Sequence, residues 1–61
     1  MIRVHRLNGQ EFLINSELIE FVEETPNTVV SMVSGRKLVV SETSEVIKQL
    51  IIEYKRKIFI A

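Results

Sequence analysis

Apolar positions divide the chain into five short alternating segments followed by one longer segment of helical period. Ile2 to Leu7 alternates, with Ile2 and Val4 on one face and Arg3 and His5 on the other, the period of two that a strand requires. Asn8-Gly9 follows, a pair that tolerates the positive φ of a type I′ turn. Gln10 to Ile14 then reads as the return strand, with Phe12 and Ile14 on one side. Asn15-Ser16-Glu17 is a polar break whose first two side chains can bond nearby backbone. Ile19 to Thr25 reads as a third strand, stopped by Pro26-Asn27 because proline has no N–H for a ladder. The β-branched run from Thr28 to Val33 is a fourth strand, Ser34-Gly35 a tight turn, and Arg36 to Val40 a fifth strand. Connections this short make consecutive strands neighbours, so the expected sheet is an antiparallel meander.

The period changes after Val40. Ser41-Glu42-Thr43-Ser44 offers hydroxyls to cap a helix, with Glu42 and Glu45 placed near the positive end of its dipole. Ile47, Leu50, Ile51, Tyr54 and Ile58 then recur at i, i+3, i+4, i+7 and i+11, a stripe roughly 100° wide. The pattern predicts a helix over Thr43 to Ile58, closed by the cations Lys55, Arg56 and Lys57. The expected fold is a single α+β domain over residues 1–61. It is a five-stranded antiparallel β-meander, curled or partly closed into a barrel, with one C-terminal α-helix packed on a face.

That arrangement leaves apolar surface over. Ile52 and Phe59, seven residues apart, share a second helix face. Several strands are apolar on both faces: Leu38 and Val40 against Val39, Val30 and Met32 against Val29 and Val33, Val22 against Ile19 and Phe21. One short helix covers one side of such a sheet. A chain of 61 residues needs a further staple, and without cysteine neither a disulfide nor a thiolate metal site is available. The expectation is a homo-oligomer; a strongly curled, nearly closed monomeric barrel is the competing solution.

Composition narrows the chemistry. Eight Lys+Arg balance eight Asp+Glu, which argues against a nucleic-acid binder working by bulk charge. An aromatic content of 7% argues against a base-stacking platform. All eight acids are glutamates and His5 is the single histidine, so a Ser-His-Asp triad and the usual zinc clusters cannot be written. His5 lies mid-strand with no partner close in sequence and reads as a surface or interface histidine. The serines occupy turn and cap positions, Ser31 apart, and none lies in a nucleophile-elbow motif. Glu17, Glu20, Glu23 and Glu24 read as a solvated acidic edge that discourages strand-to-strand aggregation. No catalytic, cofactor-binding or metal-binding residues are expected. The candidate interaction surface is Ile52, Lys55, Arg56 and Phe59, a mixture of cations and apolar groups suited to a protein partner or to peripheral contact with a membrane. No run approaches the ~20 apolar residues that span a bilayer, and the N-terminus lacks an apolar signal stretch, so the expected compartment is the cytoplasm.

Longer motifs carry a resemblance. Met1-Ile-Arg-Val-x-Arg-Leu-Asn-Gly-x-Glu-Phe is followed by Asn15-x-x-Leu18-Ile19-Glu20-x-Val22-Glu23-x-x-Pro26-Asn27-Thr28. Ser34-Gly35-Arg36-Lys37-x-Val39-Val40-x-Glu42 and Ile52-Glu53-Tyr54-Lys55-Arg56-Lys57-Ile58 complete the set. Together these resemble the small bacterial flagellar proteins of the FlbD family, also called SwrD, over nearly the whole chain. Ser44 and Val46 depart from the more acidic helix start expected there, which touches the cap and no site. The resemblance implies a flagellar-operon protein that supports motility, swarming above all, by raising motor power through the stator at the membrane-associated flagellar base. It implies flagellar motor or stator components as partners, no enzymatic activity and no cofactor. A small nucleic-acid-binding or regulatory β-module is the alternative.

Overall fold

Two hairpin turns of one construction set the strand lengths. In the computed structural model, which describes residues 1–60 and the side-chain surroundings of residues 1–58, β1 is Ile2–His5 and β2 is Glu11–Ile14. Between them Arg6 N–H donates to Gln10 O at 2.8 Å and Gly9 N–H to Arg6 O at 2.9 Å. Strands β4 (Thr28–Met32) and β5 (Lys37–Val40) repeat the pattern, with Met32 N–H on Arg36 O at 2.8 Å and Gly35 N–H on Met32 O at 2.9 Å. Among the described residues positive φ falls on Gly9 (92°) and Gly35 (97°) and on no non-glycine residue. Each turn is therefore a type I turn followed by a bulge glycine, not the type I′ turn expected at Asn8-Gly9, which would need positive φ at Asn8 as well. Arg6 and Leu7 belong to the turn, so β1 ends two residues early.

The meander is broken once. After β2, Asn15 Oδ1 accepts Glu17 N–H at 3.0 Å and starts a 3-10 turn over Ser16–Leu18. The chain changes direction there, so β2 does not pair with β3 (Ile19–Glu24). The five antiparallel strands form a two-stranded sheet, β1-β2, and a three-stranded sheet, β3-β4-β5. The sheets do not close into a barrel. A main-chain hydrogen bond from Ser41 N–H to His5 O at 2.8 Å ties the end of β5 to β1, while Val33 N–H to Leu18 O at 2.9 Å extends the β3–β4 pairing by one step.

A bulge between Ile19 and Phe21 changes which face β3 offers. Ile19, opposite Met32, and Val22, opposite Val30, both pack against the core, while Phe21 turns outward opposite Ser31. Strict alternation had put Ile19 and Phe21 on one face. The core comprises Ile2, Val4, Ile14, Val30, Val40 and Ile47, drawn from four strands and the helix. The helix, α1 (Ser44–Ile60), lies across the seam and touches both β1 and β3. Its Ile47, Leu50, Ile51 and Tyr54 face the core, as the stripe requires. Ile58 does not, and is 49% exposed. Seventeen residues make a helix ~25 Å long, whereas the four-residue β1 reaches only ~14 Å, so the last turn overhangs.

The start of α1 is capped from two places. Thr43 Oγ1 accepts Val46 N–H at 3.2 Å, the geometry of an N-cap, and Glu24 Oε1 at the end of β3 accepts Ser44 N–H at 2.7 Å. The bonds from Ser44 hold the Glu24 carboxyl below its usual range. Thr43→Ala is expected to lower stability by about 1 kcal/mol, read as a lower urea midpoint at unchanged slope. An unchanged midpoint would show that Glu24 alone caps this end.

Candidate functional site

Helical spacing puts Ile52, Lys55, Arg56 and Phe59 at i, i+3, i+4 and i+7, on one side of α1. Ile52 is half-buried, and Lys55 and Arg56 are exposed. The side chain of Phe59 lies outside the described residues, although its backbone continues the helix. Ile52 lines a shallow groove of about 280 Å³ between α1 and β3, with Val22, Ile47 and Ile51 as its other apolar walls and Ser44 and Lys48 at its rim. Ile47 and Ile51 belong to the core stripe, so the groove is the place where core surface reaches the outside. Lys55 and Arg56 lie one turn further along the helix and do not line it. The four residues thus divide into an apolar anchor, exposed cations and a terminal position.

The most polar cluster lies elsewhere, around His5. The Glu42 carboxylate accepts two bonds from this one residue: His5 N–H to Oε1 at 2.9 Å, and the ring Nδ1 to Oε2 at 2.7 Å. On the other side of the ring Nε2 lies 3.4 Å from Glu11 Oε1, and Arg3 Nε is 3.2 Å from Glu11 Oε2. The hydrogen bond to Glu42 and the two negative charges raise the His5 pKa against a smaller effect of burial. Burial pushes the Glu42 carboxyl up, and the bonds from His5 outweigh it, so its pKa falls.

Chemically this cluster is a latch. The imidazole stands between the two carboxylates, so they do not converge on one point, and no metal-binding group of three His, Cys, Asp or Glu occurs among the described residues. The groove at Ile52 is not lined by His5, Glu11 or Glu42. With Ser41 N–H on His5 O, the latch ties β1 to the segment between β5 and α1. Glu42 does this work rather than favouring the helix dipole, the role its position suggests.

Among known proteins, the model of the FlbD family, described as flagellar and swarming motility proteins, matches residues 1–59. The chain belongs to the FlbD family. No curated protein and no solved structure matches it. The role that follows from FlbD membership is in flagellar and swarming motility. Among the described residues, no helix is long and apolar enough to cross a membrane.

In this FlbD chain Ile52, Lys55 and Arg56 lie on one side of α1, the first half-buried and the other two exposed. Two functional pairings were missed. His5 and Glu42 are 37 residues apart, and Glu24 and Ser44 are 20 apart. Neither spacing falls within a helix turn or a hairpin, so no local signal announces them. The acidic cluster is also divided: Glu24 caps α1, while Glu17, Glu20 and Glu23 remain exposed. Glu20 and Glu23 lie on β3, an edge strand of its sheet, where charge discourages pairing with another chain.

Proposed function

We propose that this chain is a non-enzymatic flagellar accessory protein that supports swarming by docking on a protein of the motor, on the cytoplasmic side of the flagellar base, and so promotes stator power. Membership of the FlbD family carries the motility part of this reading. The docking part rests on one observation, the apolar groove bounded by Val22, Ile47, Ile51 and Ile52, with Lys48 at its rim and the exposed Lys55 and Arg56 beyond. An apolar anchor beside flexible cations suits an acidic, partly apolar protein surface.

The test is motility of a flagellated host whose own copy is replaced by the Ile52→Ala/Phe59→Ala double variant. Ile52 is half-buried and is not one of the buried core residues, so Ile52→Ala alone is expected to melt within a few degrees of the parent, and the melting curve of the double variant is its folding control. Swarm expansion and the torque of single motors are expected to fall at least severalfold. Wild-type swarming and torque at equal protein level would overturn the helix-face assignment.

A further inference from the structure

The three-stranded sheet has a second face, turned away from α1. Strand registers place Glu23, Val29 and Val39 in one row across β3, β4 and β5, and Phe21, Ser31 and Lys37 in the next. Phe21 is 43% and Val39 40% exposed, and Val29 is half-buried. Phe21 and Val39 therefore face outward between two charges, with Val29 half-buried and Ser31 only 4% exposed at the centre of the two rows. Glu23 stands at the β3 corner of one row and Lys37 at the β5 corner of the other, diagonally opposite. Both are exposed, and neither has a salt-bridge partner among the described residues.

We infer that two copies of this chain join through this face, about a two-fold axis lying in the face along the Phe21–Val39 diagonal. A symmetric dimer needs a patch that is its own complement, and this layout meets the condition. Rotation about that axis sets each Glu23 over the partner's Lys37, twice, and brings Phe21 onto Phe21 and Val39 onto Val39. Rotation about the strand direction or across it instead sets Glu23 over Val39 or Phe21 and leaves both charges unpaired. With strands ~4.8 Å apart and same-face residues ~6.8 Å apart, the axis crosses the two sheets at about 70°, near the orthogonal packing class.

The occupant is a second copy because the patch already carries both halves of its charge pattern and is neutral as a whole. Three strands ~4.8 Å apart and about five residues long make a face of roughly 250 Å² per protomer, about 500 Å² for the pair, so the dimer is weak and concentration-dependent. The inference rests on the sheet alone and is independent of the docking role assigned to α1.

Sedimentation equilibrium of the full chain from low micromolar to millimolar concentration tests it. The average mass is expected to rise from 7.1 kDa toward twice that value. Glu23→Lys and Lys37→Glu, tested singly, each turn two attractions into two repulsions and are expected to weaken the dimer about tenfold or more. Mixed in equal amounts, these two variants are expected to pair with each other, because one supplies only cations and the other only carboxylates at the four contact positions. Both residues are exposed, so melting of each monomer should not change and serves as the folding control. A chain that stays monomeric at millimolar concentration overturns the inference and leaves the face to a different protein. A dimer indifferent to both charge changes, or single variants that fail to pair on mixing, overturns it in favour of another face or a strand edge.

Discussion

Ile47→Ala is expected to cost about 3 kcal/mol and to leave much of the population unfolded at 37 °C. Ile47 is 1% exposed and sits where α1 crosses the seam between the sheets, in a core shared with Ile2, Val4, Ile14, Val30 and Val40. The helix touches β1 in one sheet and β3 in the other, and Ile47 shares one buried cluster with residues of both. A cavity there loosens both at once. A 61-residue chain has a total stability of roughly 3–9 kcal/mol, so one such cavity removes a third or more of it. Ile58→Ala is the control. It deletes a side chain from the same sequence stripe, yet Ile58 is 49% exposed and the change should cost less than about 0.5 kcal/mol. Urea unfolding of the two variants checks the contrast, and equal losses would mean that the last turn of α1 is packed after all.

The second large effect concerns the latch. Glu42→Ala removes the acceptor of the His5 N–H and of its ring together, and is expected to cost about 1–2 kcal/mol because the main-chain donor loses its partner. Glu42→Gln keeps an acceptor for the N–H but removes the charge, which separates hydrogen bonding from titration. The His5 pKa is raised from 6.5 by folding, so its contribution is complete below 6.5 and disappears as pH rises through the raised value. The Glu42 pKa is lowered from 4.5, so its contribution is complete above 4.5 and disappears as pH falls through the lowered value. Stability should therefore be greatest between about pH 4.5 and 6.5 and fall on either side. Melting temperature against pH is expected to drop by a few degrees from pH 5.5 to 8.5 in the parent, and to flatten over that range in Glu42→Gln. A parent profile that rises above pH 6.5 would contradict the latch.

The latch matters to function through position. It fixes the segment Ser41 to Thr43, from which α1 departs, and Glu24 fixes the same end from β3. Both sheets thus hold the first turn of the helix that carries Ile52, Lys55 and Arg56. A surface on α1 is presented at a set angle to the sheet only while these bonds hold. Swarming of the Glu42→Gln variant is a useful companion to its melting curve for that reason.

Local pattern was enough for the elements themselves. Alternation at Ile2 and Val4, the β-branched run Thr28 to Val33 and the spacing of Ile47, Leu50, Ile51 and Tyr54 each reflect contacts between residues near in sequence or a face buried as a whole. The FlbD resemblance was legible for a similar reason, since it resides in short motifs around the turns and strand ends. The excess of apolar side chains over what one helix can cover was also countable in advance, and Phe21 and Val39 do remain outside.

Tertiary structure decided everything that depends on how distant segments meet. Asn15 was a visible polar break, but whether β3 pairs with β2 or turns away depends on the 3-10 turn and on the bulge that parts Ile19 from Phe21. Ile47 and Ile58 look alike in the helical period, and only the lengths of strands and helix separate a core residue from an overhanging one. His5 with Glu42, and Glu24 with Ser44, become neighbours only once both sheets and the helix are in place. Periodicity records which face of an element avoids water; it carries no information on which distant polar group will meet a given donor, because that is set by the docking of whole elements.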